Sequence, residues 1–443
     1  MAANGHRAHA SLPGGVRPWL AALLAVVVAG CGSVAPSPPT ASSAPSAAPS
    51  ERAPVASAGD ATAPPPAASP SAPSEPAPSS APSASAAAPS ASAPPKPFGF
   101  EAKGMTHEVI AFATVPQLDY VASRMDLSAV STIAYFGLTA TAHGRISLSN
   151  GGGRAWTSAR MDAVIARAHA AGTRVVATIG RFAWTAGGRA ASIALLASRG
   201  RRERLARTIA RLVIERGVDG VDLDFEPIPA GLADEHADLV ARVRRALDAA
   251  RPGLQLTVAL VGHFDSYDVA AIARGKPDAI YLMGYHYAGW WSKVAASTAP
   301  LGGPRYDLAD TVGLLRRSVP AERIIVGVPY YGHLWPTKTG QPHARTTGRG
   351  SDLSVGAAAA LAAEHGLRWD PVEHVAWSRW RVRDCASCAA HWVELYFDSP
   401  RASRDKWAWV KRTGLLGTGI WTIGFEGDGP GPWNAELRRA FLR

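Results

Sequence analysis

The chain has 443 residues, is 47% hydrophobic and 18% charged, and carries a formal net charge of +11. Its length accommodates two or three average domains, or one barrel with tails. The charge suits anionic polymers or a lipid surface, or simply a codon bias toward arginine. No basic run is interleaved with aromatics in the manner of a nucleic-acid-binding segment, so nucleic acid is excluded as a partner.

At the N-terminus, Arg7 and Arg17 precede an apolar run over 19–29 that is shorter than a membrane span, and Val28-Ala29-Gly30 leads into Cys31. That order predicts a signal peptide over 1–30. A cysteine directly after small residues resembles a bacterial lipobox, which implies that Cys31 is lipidated and that the exported protein is anchored to a membrane, at the cell surface or in the periplasm. From 33 to 95 the chain is almost wholly Ala, Pro and Ser, with Glu51, Arg52, Asp60 and Glu75 as its only charges and no aromatic residue. Such a stretch buries too little apolar surface to offset the entropy of ordering it. Residues 31–97 are therefore expected to be a disordered, semi-extended spacer.

From 98 to 443, apolar Val/Ile-rich runs alternate with helical patterns. Strands are predicted over 107–114, 130–137, 174–180, 220–226, 254–261, 279–287, 323–331 and 418–425. Between them, Met161, Val164, Ile165 and Ala168 form one helical stripe, and Leu205, Ile209, Leu212 and Val213 another that Gly217 closes. A third, Leu239, Val240, Val243 and Leu247, stops before Pro252. Near-continuous apolar strands alternating with amphipathic helices imply a parallel sheet covered by helices, and eight repeats favour a closed (β/α)8 barrel. The rhythm breaks after the seventh strand, where β-like segments over 374–380 and 391–397 flank Cys385 and Cys388. This is read as a small insertion, followed by a last helix over 403–413. In an exported chain the close cysteine pair reads as a local disulfide; His374 and His391 nearby make zinc a weaker alternative.

The densest chemistry lies in Asp219-Gly-Val-Asp222-Leu-Asp224-Phe-Glu226. On a strand, residues two apart share a face, so Asp222, Asp224 and Glu226 project together into the barrel. Three stacked carboxylates cannot all stay ionised there. Repulsion and desolvation raise at least one pKa toward the range a general acid needs. Glu226 ends the strand, on the barrel face where active sites lie. Ligand histidines near the motif are missing, which argues against a metal cage.

The motif resembles the DGxDxDxE signature of glycoside hydrolase family 18. Other segments over roughly 106–434 are similar to the family as well: Ile133-Ala-Tyr-Phe136, Val176-Ala-Thr-Ile-Gly180, Met283-Gly-Tyr285, Gly327-Val-Pro-Tyr-Tyr-Gly332 with Trp335, and Gly419-Ile-Trp421. The compact barrel is most similar to bacterial members associated with spore cortex and peptidoglycan breakdown. The resemblance implies cleavage of β-1,4-linked N-acetylglucosamine polymers by substrate-assisted, retaining catalysis without a cofactor or metal. It implies that Glu226 is the acid, that Asp224 orients the substrate's acetamido group, that Asp222 shares its proton, and that Tyr285 hydrogen-bonds the acetamido oxygen. Trp421 is then the floor beneath the sugar, and Asp219, Met283, His286, Tyr330 and Trp335 are further candidate substrate contacts. Trp184, Trp290 and Trp291 also follow strands on the side where a substrate lies, as does His333.

Two departures are expected to alter the cleft: His286 stands where the family usually has Asp, and Arg181 where a second Gly commonly follows Gly180. Chitin, peptidoglycan and the chitobiose core of N-glycans all present the required acetamido group. The expected partners are thus such a polysaccharide and, through Cys31, a membrane, for a monomeric chain. The alternative is a catalytically silent lectin on the same barrel, a class that usually lacks the terminal Glu.

Overall fold

The computed structural model describes residues 99–303, 306–427 and 431–443. The predicted signal peptide, Cys31 and the Ala/Pro/Ser-rich linker lie outside the described residues.

Eight parallel strands close on themselves: β1 (Glu108–Ala113), β2 (Thr132–Ala140), β4 (Arg174–Phe182), β5 (Gly220–Glu226), β6 (Gln255–Val261), β7 (Ala279–Met283), β8 (Ile324–Pro329) and β14 (Gly417–Trp421). β1 pairs with both β14 and β2, which completes the (β/α)8 barrel. The short β3 (Ile146–Ser147) adds antiparallel to the end of β2. Helices alternate with the strands as their periodicity requires. The helix Arg199–Arg216 begins at Ser198, whose hydroxyl accepts from the Arg201 amide, and ends at Gly217 in the left-handed region (φ 67°). Its buried face carries Leu205, Ile209, Leu212 and Val213, the predicted stripe.

Parallel neighbours in register point to the same side, so pairing identifies the barrel interior. Asp222 lies beside Thr178 of β4 and Thr257 of β6, Asp224 beside Gly180, and Glu226 beside Phe182. The N-terminal end is plugged by polar groups. Buried Glu108 accepts from Ser131 Oγ (2.8 Å) and Thr132 Oγ1 (2.6 Å), and pairs with Arg174 Nη2 (2.6 Å). Only the C-terminal end is left for a cleft.

The interior is tight around Tyr281, which is 1% exposed. A Cβ on Gly419 would meet Tyr281 Cε2 at 2.1 Å, and one on Gly327 would meet its hydroxyl at 2.4 Å. Gly419→Ala is therefore expected to destabilise the protein by about 1–3 kcal/mol through overpacking. Urea denaturation checks this: the midpoint falls while the slope stays constant. An unchanged midpoint would show that the tyrosine can yield.

The insertion after β8 is larger than its two sequence-visible strands. It is a five-stranded antiparallel sheet in the order β10-β9-β13-β12-β11, where β9 is Tyr331–Thr337, β10 Ser351–Ser354, β11 Arg368–Asp370, β12 Val375–Val382 and β13 His391–Phe397. β10 and β11 are too short to show a period. β9 follows β8 after Tyr330 alone, so the two read as one strand over 323–331. Cys385 and Cys388 form a disulfide in the β12–β13 connection. The last predicted helix is Pro400–Arg412, and a further helix, Pro432–Phe441, was not apparent in the sequence.

Candidate active site

At the open end of the barrel the carboxylates of β5 form a ladder rising from the core. Asp222 is 1% exposed and its Oδ1 accepts from Thr257 Oγ1 at 2.7 Å, while Oδ2 has no partner. Burial and the neighbouring Asp224 push its pKa up to about 7. Asp224, 3% exposed, is raised well above the usual carboxylate range by burial and by Glu226, so it holds a proton to share with Glu226. Glu226 lies deep in the protein yet is only half-buried, because it borders the cleft. Burial pushes its pKa up to about 7; a hydrogen bond from Asp224 opposes this and the charge of Asp222 adds to it. One rung thus remains protonated near neutrality at the solvent end.

The backbone beneath the ladder is held from both sides. The Ala183 amide donates to Glu226 O (2.6 Å), and the Tyr267 hydroxyl donates to Phe225 O (2.7 Å). Gly180 lies level with Asp224 and carries no side chain there. Tyr285 follows β7 and is 3% exposed; burial and the neighbouring Tyr281 keep its hydroxyl protonated, and Glu226 adds to that effect. Met283 ends β7 on the interior face it shares with Tyr281. Trp421 ends β14 with its indole half-exposed, set edge-on against Phe136 (centroids 4.6 Å) and tilted against Phe112 (5.6 Å). The peptide joining Trp421 and Thr422 is cis.

The structure thus brings Asp222, Asp224, Glu226, Tyr285, Met283 and Trp421 to one barrel mouth. His286 joins them at the rim, with φ 70° and its ring 5.1 Å from that of Tyr285.

Three sequence expectations are corrected. Asp219 is at the opposite end of β5, where Oδ2 accepts from the Val175 amide (2.8 Å) and pairs with His169 Nε2 (2.8 Å). It ties β5 to β4 and does not face a ligand. Tyr330 is fully buried behind the barrel wall, 6.5 Å from the Trp433 ring; Tyr331, one residue on, instead faces Tyr285 (6.1 Å) and His286 (5.9 Å). Trp335 is also fully buried, with its indole donating to Gly289 O at 3.1 Å. Both misplacements follow from the switch of sheets at Tyr331, which resets the inside–outside alternation.

Arg181 does not reshape the cleft floor either. It points away from the interior and donates to Ala140 O (3.1 Å). His333 is 2% exposed and sits against Asp352 (2.7 Å). Thr257 and Tyr281, single hydroxyl-bearing residues in apolar strands, and Tyr267, in the loop after β6, carry no pattern in the sequence. The alternative zinc reading of the cysteine pair fails, since both sulfurs are spent in the disulfide and His374 pairs with Asp405 at 3.2 Å. Among the described residues, His343, Asp370 and Glu373 are grouped closely enough to hold a metal ion. Their geometry already satisfies them as a clasp: His343 Nε2 meets Asp370 Oδ2 (2.9 Å), and Glu373 Oε2 accepts from the Ser297 amide (3.0 Å).

A closed barrel with a stepped carboxylate ladder and an aromatic platform at its C-terminal mouth is the arrangement that the resemblance to glycoside hydrolase family 18 implies. Residues 85–426 match the family described as Glycosyl hydrolases family 18, and the chain belongs to that family. It is 27% identical over 271 residues to an endochitinase of Brugia malayi, covering 52% of this chain and 51% of the relative. It is 26% identical over 252 residues to a putative sporulation-specific glycosylase, YdhD, of Bacillus subtilis, covering 54% of each. The chain thus spans about half the length of these curated relatives. Among solved structures, it is similar to a class V chitinase from Nicotiana tobaccum (TM-score 0.64, 17% identity, 75% of this chain and 98% of that one). A group IV chitinase from Ostrinia furnacalis gives a TM-score of 0.63 at 17% identity, again over 75% of this chain and 98% of that one.

Proposed function

We propose that the protein is a glycosidase that cleaves β-1,4-linked N-acetylglucosamine polymers, chitin-type or peptidoglycan, by substrate-assisted retaining catalysis. The carboxylate ladder carries this reading, with its outermost member, Glu226, pushed up to about 7. Glu226 donates its proton to the glycosidic oxygen as that bond breaks. The substrate's own acetamido oxygen attacks C1 from the other face, giving an oxazolinium ion. Asp224 turns its carboxylate to the acetamido N–H as positive charge builds there, while its proton passes to Asp222, whose pKa near 7 lets it accept. Tyr285 donates to the acetamido oxygen, and Trp421 supports the sugar face. Glu226, now anionic, takes a proton from the water that opens the oxazolinium ring with net retention.

The test is mass spectrometry of products from chitin oligomers and purified peptidoglycan, each incubated with wild type and with Glu226→Gln. Glu226-dependent products from either polymer support the reading and identify the substrate. Retained binding without products from either moves the assignment to a lectin.

We also propose that the protein is exported and tethered by lipid on Cys31, with the Ala/Pro/Ser-rich segment as spacer, on the order of charge, apolar run and small residues before that cysteine. Cys31→Ser is expected to move the protein from the membrane to the soluble fraction; unchanged fractionation overturns the anchor.

A further inference from the structure

Beyond the catalytic ladder, one wall of the cleft carries a concentration of charge that the proposed chemistry does not use. The segment over 285–303 and the segment over 338–351 contain no Asp or Glu, yet they hold Lys293, Lys338, Arg345 and Arg349. The fold binds the two segments together. Val294 and Arg345 form an antiparallel bridge, the Thr346 amide donates to Lys293 O (3.0 Å), and the Gly350 amide donates to Trp290 O (2.8 Å). Lys293, Arg345 and Arg349 are exposed, and none of them makes an ion pair with a carboxylate among the described residues. The acids that border the two segments are engaged elsewhere: Asp370 (9% exposed) and Glu373 (4%) are turned inward onto His343 and backbone amides, and Asp352 is held against His333 Nδ1 (2.7 Å).

The charge is interleaved with exposed aromatic surface that begins at the acid. Tyr285 neighbours Glu226, His286 packs on Tyr285 (5.1 Å), Trp291 lies 6.3 Å from His286, and Trp290 stands edge-on to Trp291 (5.2 Å). Arg349 stacks over the Trp290 ring at 3.8 Å, and the two tryptophans are 37% and 49% exposed. Indole faces stack on sugar rings, and cations on the same two segments favour negative charge on what is stacked.

We propose that this strip extends the cleft and binds a glycan strand that carries carboxylates, such as an N-acetylated β-linked strand bearing an acidic ether or peptide on alternate sugars. The proposal rests on the cleft being the site for N-acetylated glycans, and adds that the preferred substrate is anionic. A lipid surface is the competing source of negative charge. The tryptophans, continuous with the catalytic carboxylates, favour the glycan.

The test compares the full-length protein with Lys293→Ala/Arg345→Ala on peptidoglycan strands and on neutral chito-oligosaccharides of matched length, at about 50 and 300 mM salt. The ratio of KM for the anionic to the neutral substrate is expected to rise on the order of tenfold in the variant, since each exposed charge contributes modestly. In wild type the same ratio is expected to rise with salt. Hydrolysis of both substrates with a ratio that neither salt nor substitution moves overturns the strip while leaving the glycosidase reading intact. Hydrolysis of neither overturns that reading itself. Full-length Cys31→Ser is then tested on phosphatidylglycerol-containing against pure phosphatidylcholine vesicles. Vesicle binding lost on adding Lys293→Ala/Arg345→Ala, with the KM ratio unmoved, reassigns the strip to a membrane.

Discussion

Glu226→Gln is expected to lower kcat on the order of 10³-fold while leaving substrate affinity within a few-fold. The amide keeps the shape and the hydrogen bond from Asp224 but has no proton to give the leaving oxygen, and general-acid assistance is typically worth about 10²–10⁴-fold. Rapid-quench kinetics with binding measured in parallel checks both halves, and turnover within tenfold of wild type would remove Glu226 from the acid role. The pH profile supplies an independent reading. Glu226 must be protonated to act and its pKa is about 7, so the rate is expected to fall as pH rises through that value; Asp222 must be ionised to take the proton of Asp224, so the rate is expected to fall on the acid side as well. The charge on Asp222 helps to hold the Glu226 pKa up. Asp222→Asn is therefore expected to draw the alkaline limb to lower pH; a limb that stays in place would assign it to another group.

Asp224→Asn should reduce kcat by about 10²-fold with much less effect on KM. Asparagine fills the same buried volume and can still donate to Glu226, so the ladder keeps its packing. It cannot become an anion, and the acetamido N–H would lose the charge that stabilises it as the oxazolinium ion forms. Equal losses in kcat and affinity, from steady-state and direct binding measurements, would mean that Asp224 serves ground-state binding only. A truncated substrate with an unacetylated amino group should be cleaved poorly by wild type and variant alike, because the group on which Asp224 acts is then missing.

Much of the protein is determined by local sequence. The alternation of apolar strands with amphipathic stripes specifies eight βα repeats, because a parallel sheet must be covered on its outer face and the helix period records that covering. The spacing of Asp222, Asp224 and Glu226 places them on one face of one strand whatever the rest of the chain does, since the two-residue period of a strand is a property of its backbone. Trp421 and Tyr285 were equally legible, as each ends or follows a strand within a recognisable motif. Other features depended on long-range packing. Tertiary structure alone decided that Tyr331 faces the cleft and Tyr330 the wall, because the chain leaves the barrel for a second sheet between them and no local period survives that switch. It alone sent Asp219 to the far end of β5, where it satisfies a backbone amide of β4. It also raised Glu226 and Asp222 to about 7, since desolvation depends on everything packed around a group and not on its neighbours in sequence. And it assembled Lys293, Arg345 and Arg349, which make no ion pair among the described residues, beside Trp290 and Trp291 by pairing two loops that are about fifty residues apart in the chain.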